Sequence, residues 1–331
     1  MVPPMARLSS GAVGRHIMGQ RIAYGTLAII LLVLLFGLDI AIAHWAEGLE
    51  GAVGTLLRRG SLLPLLFLVM LLGGAVELVR LLRAKAVRPH AVYAYSMIAV
   101  LVLTPWLSAA GWLGSGIGEA DGLYWQAIWI AVAVVGAGIL VVIRRDPEGT
   151  FRDIGATLLV ILHLGFLASF GLLLRCGSDM PAQEGAWLLL VAVLVTKASD
   201  IGAFFVGSAF GRHQLIPAIS PAKSIEGVVG GLAGSALAAI LISSVSLPES
   251  FGIEHELREI LPVWRAVFFG ISLSVAGQLG DLVESCFKRD AGIKDSGEVI
   301  PCFGGILDLI DSPVLAMPVA WFLLTVVWTA V

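Results

Sequence analysis

The sequence predicts an all-α polytopic membrane protein of about nine transmembrane helices, with its N-terminus in the cytoplasm and its C-terminus outside. Three observations predict it. Hydrophobic residues make up 58% of the 331 and charged residues 14%, against about 25% charged in a soluble domain. The apolar residues gather into runs of the length that crosses a bilayer, about 20 residues each. Lys and Arg are spread unevenly between alternate connecting segments. A soluble globular domain is excluded, and no nucleic-acid partner is expected.

The runs fall at about 23–44, 61–82, 91–113, 122–143, 155–175, 185–207, 226–247, 264–286 and 306–330. The first follows Arg7, Arg15 and Arg21 and is long for a signal-peptide core, so it is read as a retained span. Its end, AIAHWAEG, contains a small-x-small step that leaves cleavage open. The segment 51–60, GAVGTLLRRG, is too short and too charged to span. The stretch EGVVGGLAGSALAAI, from Glu226 to Ile240, has small residues three and four apart, which lets helix backbones approach closely. The acidic segment 248–263 reads as a solvated, partly helical linker. The chain divides into residues 1–183, with about five spans, and residues 184–331, which carry the polar motifs.

With the N-terminus inside, the cytoplasmic segments hold fifteen Lys and Arg and the outer ones five, namely Arg58, Arg59, Arg175, Arg258 and Arg265. Lys197 lies within a span. This orientation puts the two polar loops, 208–225 and 287–305, on the same cytoplasmic side. A bacterial-type inner membrane fits this bias. The three cysteines, Cys176, Cys286 and Cys302, form no Cys-x-x-Cys pair, and the six histidines are scattered. A zinc site or a disulfide framework is therefore not expected.

A carboxylate in the middle of a bilayer costs about 2.5–3.5 kcal/mol on insertion scales, so those present mark polar cavities or pairs. Asp39 and Glu77 sit near span ends, and Glu77 lies three residues before Arg80, as for a pair on one helix face. Lys197 and Asp200 are also three apart and are read as facing a cavity open to the cytoplasm. Asp281, Glu284, Ser285 and Lys288 share one face of the eighth span at its cytoplasmic end. Asp308 and Asp311 stand at the cytoplasmic start of the ninth. Four carboxylates and a hydroxyl at one depth repel one another unless a cation joins them. A small set of hard oxygen ligands suits Mg²⁺, which shares its shell with water and substrate phosphates. Lys288, Arg289 and Lys294 flank this group, and Arg212 and Lys223 come from the other loop. Such cations hold a polyphosphate and stabilise charge during phosphoryl or nucleotidyl transfer. Gly304 and Gly305 open the ninth span, where backbone amides could meet a phosphate.

The stretch GDLVESCFKRDAGIKDSG, followed by Pro301, Gly304-Gly305-Ile306-Leu307-Asp308 and Asp311-Ser312, closely resembles the signature of the phosphatidate cytidylyltransferases, the CDP-diacylglycerol synthases. SDIGAFFVGSAFGRHQLIPAISPAKSIEG, from Ser199 to Gly227, resembles that family's Asp-x-Gly-Ala segment and its Ser-Pro-x-Lys-Ser/Thr-x-Glu-Gly motif. Together these cover about Ser199–Ser312, a third of the chain. The resemblance implies a nucleotidyltransferase that joins CTP and phosphatidic acid, releases pyrophosphate and requires Mg²⁺, with room for a second, monovalent cation. It makes Asp281 and Asp308 the principal metal ligands, with Asp200 and Asp311 as further ligands or orienting groups. Lys223, Lys288, Arg289 and Lys294 would bind phosphates, and Ser220, Ser224 and Glu226 would shape the nucleotide loop. The membrane supplies the lipid partner, and a homodimer is slightly favoured.

The sequence departs from the family at two points. Pro301-Cys302-Phe303-Gly304-Gly305 replaces the usual Pro-Gly-His-Gly-Gly, and Leu309 replaces an Arg after Asp308. A phosphate monoester has a second pKa near 6 and attacks without a protein base, so Phe303 does not by itself remove the chemistry. Three readings stay open: the phosphatidate enzyme, a CTP-dependent polyprenol kinase or other lipid-phosphate cytidylyltransferase, and a non-catalytic paralogue or transporter.

Overall fold

The computed structural model describes residues 10–113, 122–177, 182–245, 257–293, 296–297 and 304–328. Among these residues nine helices are long and apolar enough to cross a membrane. The spans are Tyr24–Gly48, Leu62–Ala84, Ala91–Ala109, Gly122–Arg144, Thr150–Cys176, Gln183–Phe210, Ile225–Ser243, Val263–Asp290 and Ile306–Val327.

The helices in chain order are α1 (Ser10–Trp45), the short α2 (Gly51–Arg58), α3 (Leu62–Ala84), α4 (Ala91–Ala109), α5 (Gly122–Arg144) and α6 (Thr150–Ile161). Next come α7 (Ala168–Cys176), α8 (Ala182–Phe210), α9 (Ile225–Ser243), the single turn α10 (Leu257–Ile260), α11 (Val263–Asp290) and α12 (Ile306–Trp321). A π-helical turn at Leu162–Leu167 joins α6 to α7 in one span, and a second at Phe322–Val327 extends α12. Between α8 and α9 the chain forms a hairpin of β1 (Gln214–Ile216) and β2 (Ser220–Ser224). The strands are antiparallel, Gln214 opposite Ser224 and Ile216 opposite Ser220, with an irregularity between these pairs.

Two apolar cores hold the helices, and α12 belongs to both. Its first turns place Leu307, Ile310 and Val314 in the core that α12 shares with α3 and the π-helical turn at Leu162–Leu167. Its later turns place Ala316, Met317 and Ala320 against α7, α8 and α11. The glycines of α9 do what their spacing suggested. A Cβ on Gly202 of α8 would overlap the Gly230 carbonyl, and one on Gly230 would overlap Val206. On the other side Ser235 donates to the Gly270 carbonyl of α11 at 2.8 Å. Small residues therefore seat α9 tightly against both α8 and α11.

Two expectations change here. Glu77 does not rely on Arg80: its carboxylate accepts the N–H groups of Ile306 and Leu307 at 3.0 and 2.8 Å. The described end of the outer linker is helical, as expected, and exposes Arg258 and Glu259, but it is anchored rather than wholly solvated, since Leu257 and Leu261 are buried in the core. Asp39 is structural as expected. It is fully buried, takes Arg175 Nη2 at 2.7 Å and accepts the Leu62 and Leu63 N–H groups, which fastens α1, α3 and α7 together. Cys176 and Cys286 are free thiols.

Candidate active site

The site begins with two glycines on α11. A Cβ on Gly280 would overlap the Asp311 carbonyl, and one on Gly277 would lie 3.5 Å from Ser312 Cβ. Without those Cβ atoms the second turn of α12 lies directly on α11. Asp281 and Glu284, three apart on α11, then face Asp311 of α12. One oxygen from each of these carboxylates lies within 4.8 Å of the other two. Glu284 is fully buried and Asp311 is 6% exposed. Neither Glu284 oxygen accepts a directed hydrogen bond; Oε2 has an ionic contact with Lys288 Nζ at 2.5 Å. Asp311 Oδ1 accepts from the backbone and hydroxyl of Ser312.

Three buried or half-buried carboxylates this close are unstable alone, because each raises the cost of charge on the others. An all-oxygen set with unpartnered lone pairs fits a hard divalent cation such as Mg²⁺, which keeps sites for water and phosphate. Among the described residues this is the one group of three or more potential ligands that converges.

Cations surround the group. Lys197 pairs with Asp200 at 3.0 Å and lies within electrostatic reach of Asp281 and Asp311. Asp200 also accepts from the Ser312 hydroxyl at 3.3 Å, so this pair is joined to the cluster rather than isolated. Lys223 Nζ lies 2.7 Å from Asp281 Oδ2. Arg289 donates from Nε to the Ile219 carbonyl at 3.0 Å and docks the hairpin on the end of α11.

Ser220, Ser224 and Glu226 lie in the hairpin and the first turn of α9 that follows it. Ser220 begins β2. Ser224 caps α9 by accepting from Gly227 N–H at 3.1 Å. Glu226 accepts the backbone N–H groups of Arg212 and His213 and contacts His213 Nδ1 at 2.7 Å. Beside them Phe210, Gly211 and Arg212 line an open cleft.

Asp308 and the two glycines behave differently from expectation. Asp308 is not in the three-carboxylate group. Its Oδ1 takes Lys288 Nζ at 2.5 Å, and its Oδ2 accepts from the Ser296 hydroxyl at 2.7 Å and Gly305 N–H at 2.8 Å. It caps the start of α12 and holds Lys288. Gly305 N–H is therefore already donated, and the next two amides go to Glu77, so these three amides are not free to cradle a phosphate. Gly304 has φ +94°, a conformation that side chains with a Cβ resist, and a Cβ there would lie 2.7 Å from Asp308 Oδ2. The glycine pair makes room for protein carboxylates. Glu284 takes the third position in the cluster. It is one of the four carboxylates expected to gather around a cation, but not one of the ligands that the resemblance picks out. Lys294 and Phe303 lie outside the described residues.

Fold and site together define a multi-pass membrane protein with a carboxylate-rich, metal-fitting centre between two of its last spans. Residues 39–327 match the model of the cytidylyltransferase family. The phosphatidate cytidylyltransferase of Bacillus subtilis is 32% identical over 262 residues, which cover 79% of this chain and 89% of that one. The phosphatidate cytidylyltransferases of Staphylococcus haemolyticus and Chlamydia muridarum are 42% and 39% identical over 142 residues, 43% of this chain and about half or less of theirs (50% and 44%). The chain belongs to the cytidylyltransferase family, and it is a nucleotidyltransferase.

Proposed function

We propose that this enzyme transfers CMP from CTP to phosphatidic acid, giving CDP-diacylglycerol and pyrophosphate. The observation that carries the reading is the meeting of Asp281, Glu284 and Asp311 within a ring of lysines, in a chain of this family. The fifteen-to-five bias of Lys and Arg supports a cytoplasmic site in a bacterial-type inner membrane, with the C-terminus outside. CTP is a cytoplasmic metabolite and phosphatidic acid lies in the membrane, so a site at this boundary reaches both.

An oxygen of the lipid phosphate forms a bond to the α-phosphorus of CTP. The bond from that phosphorus to the α–β bridging oxygen breaks, and pyrophosphate leaves with the electron pair. The lipid phosphate has lost most of its second proton near neutral pH, so the chain need not supply a base. Asp281, Glu284 and Asp311 would hold Mg²⁺. Bound there, the ion supplies charge neutralisation and alignment for the phosphates. Lys223 and Lys197 offer ammonium groups to phosphate oxygens beside the carboxylates. Lys288, held by Glu284 and Asp308, keeps those two acids fixed. Arg289 holds the hairpin closed over the end of α11. The chain's contribution is orientation and preorganised charge.

The test supplies the purified protein with Mg²⁺, phosphatidic acid and CTP labelled at either the α or the γ phosphorus. Label from the α position is expected in the lipid phase. Label from the γ position alone would identify a lipid kinase, and no label from either overturns the reading.

A further inference from the structure

We infer that Glu77 is a positioning residue for the carboxylate cluster, although it lies on α3, far from the motifs in sequence. The inference rests on the reading of that cluster as a metal site. Glu77 is 2% exposed. Its Oε1 accepts Ile306 N–H at 3.0 Å, and its Oε2 accepts Leu307 N–H at 2.8 Å and the Ser296 hydroxyl at 3.0 Å. A carboxylate at this point satisfies amides that have no partner inside the helix and lies at the positive end of the helix dipole. The backbone is cut to fit it. A Cβ on Gly305 would overlap Ser296 Oγ and Glu77 Oε2, and one on Gly297 would lie 2.7 Å from Glu77 Oε1.

From Glu77 two routes reach the cluster. The first is the helix itself: Glu77 fixes Ile306 and Leu307, and Asp311 stands one turn further along α12. The second is a chain of polar contacts. Ser296 Oγ bridges Glu77 and Asp308, Asp308 holds Lys288 at 2.5 Å, and Lys288 holds Glu284 at 2.5 Å. Two of the three clustered carboxylates thus take their positions from one side chain on α3. Glu77 acts through them and touches no reacting atom.

The test uses the full-length protein in detergent, with Mn²⁺ alone as probe and free Mn²⁺ read by electron paramagnetic resonance. Glu77→Gln keeps the size but turns an NH₂ group towards N–H donors. Mn²⁺ affinity is expected to fall about 10-fold, as when a partner of a metal ligand is removed. The Mg²⁺ concentration that half-saturates label transfer should rise by a similar factor. Ser296→Ala cuts the polar chain and leaves both backbone bonds to Glu77. It should shift Mn²⁺ affinity in the same direction, and it decides the matter if Glu77→Gln does not fold. Asp39→Asn, which breaks a buried pair elsewhere, should lower thermal stability and leave Mn²⁺ affinity unchanged. A folded Glu77→Gln protein with wild-type Mn²⁺ affinity overturns the inference, as does a wild-type Ser296→Ala affinity when Glu77→Gln cannot be made. Wild-type protein that binds Mn²⁺ but transfers no label from CTP overturns the functional reading, while the binding shift still supports Glu77.

Discussion

Lys223 of β2 ends 2.7 Å from Asp281 of α11. This contact ties the hairpin to the helix that supplies two of the three clustered carboxylates. It also places a flexible ammonium at the mouth of the cluster, beside the carboxylate most open to solvent, with the Asp281 side chain 37% exposed.

Lys223→Met tests the phosphate role of that ammonium. Losing one charge-assisted contact, about 1.5–3 kcal/mol, should raise the KM for CTP roughly 10-fold or more. Steady-state kinetics at varied CTP reads this directly. An unchanged KM would remove Lys223 from nucleotide binding.

Gly280→Ala tests the approach of α12 to α11. The added methyl overlaps the Asp311 carbonyl, so the helices must part by a few tenths of an ångström or more. We expect label transfer to fall and the Mg²⁺ requirement to rise, while the protein still purifies as a folded species. Wild-type activity in Gly280→Ala would mean that the Asp281–Asp311 spacing is not critical.

Asp39→Asn addresses stability alone. Removing one partner of a fully buried ion pair costs about 3–5 kcal/mol, and Arg175 is fully enclosed beside Asp39. Thermal unfolding in detergent should shift down markedly, with kcat per folded molecule unchanged. A change in kcat would connect this clasp to the chemistry.

Phe303→His restores the residue that the family pattern carries. Because the lipid phosphate attacks without a base, transfer should persist at a similar rate. Complete loss in Phe303→His would mean that the phenyl ring is itself a working part of the site.

The spans were legible because length and hydropathy report on one helix at a time. The clearest boundary shift is at the fifth span, expected from 155, which begins at Thr150. The Asp281–Glu284 face was legible for the same local reason. Its meeting with Asp311 could be suggested from depth, but the choice of Asp311 over Asp308 could not. That choice depends on Lys288 and Ser296 claiming Asp308, which is a tertiary fact. Glu77 misled because Arg80 is its neighbour in sequence, while its actual partners, Ile306 and Leu307, lie 229 and 230 residues away. The hairpin was missed because its strands are short, irregularly registered and interrupted by Pro221. Short-range periodicity carries no signal for such contacts.

The measurement that bears most directly on the carboxylate cluster is lipid labelling from α-labelled CTP by Asp281→Asn beside wild type, each checked for folding by thermal unfolding. Asn keeps the shape and removes the charge from a group that forms one side of the cluster and pairs with Lys223. Labelling should fall by on the order of 100-fold or more, the scale seen when one preorganised charge-stabilising group is lost, with the unfolding transition retained. A folded Asp281→Asn protein that labels phosphatidic acid at the wild-type rate would contradict the account.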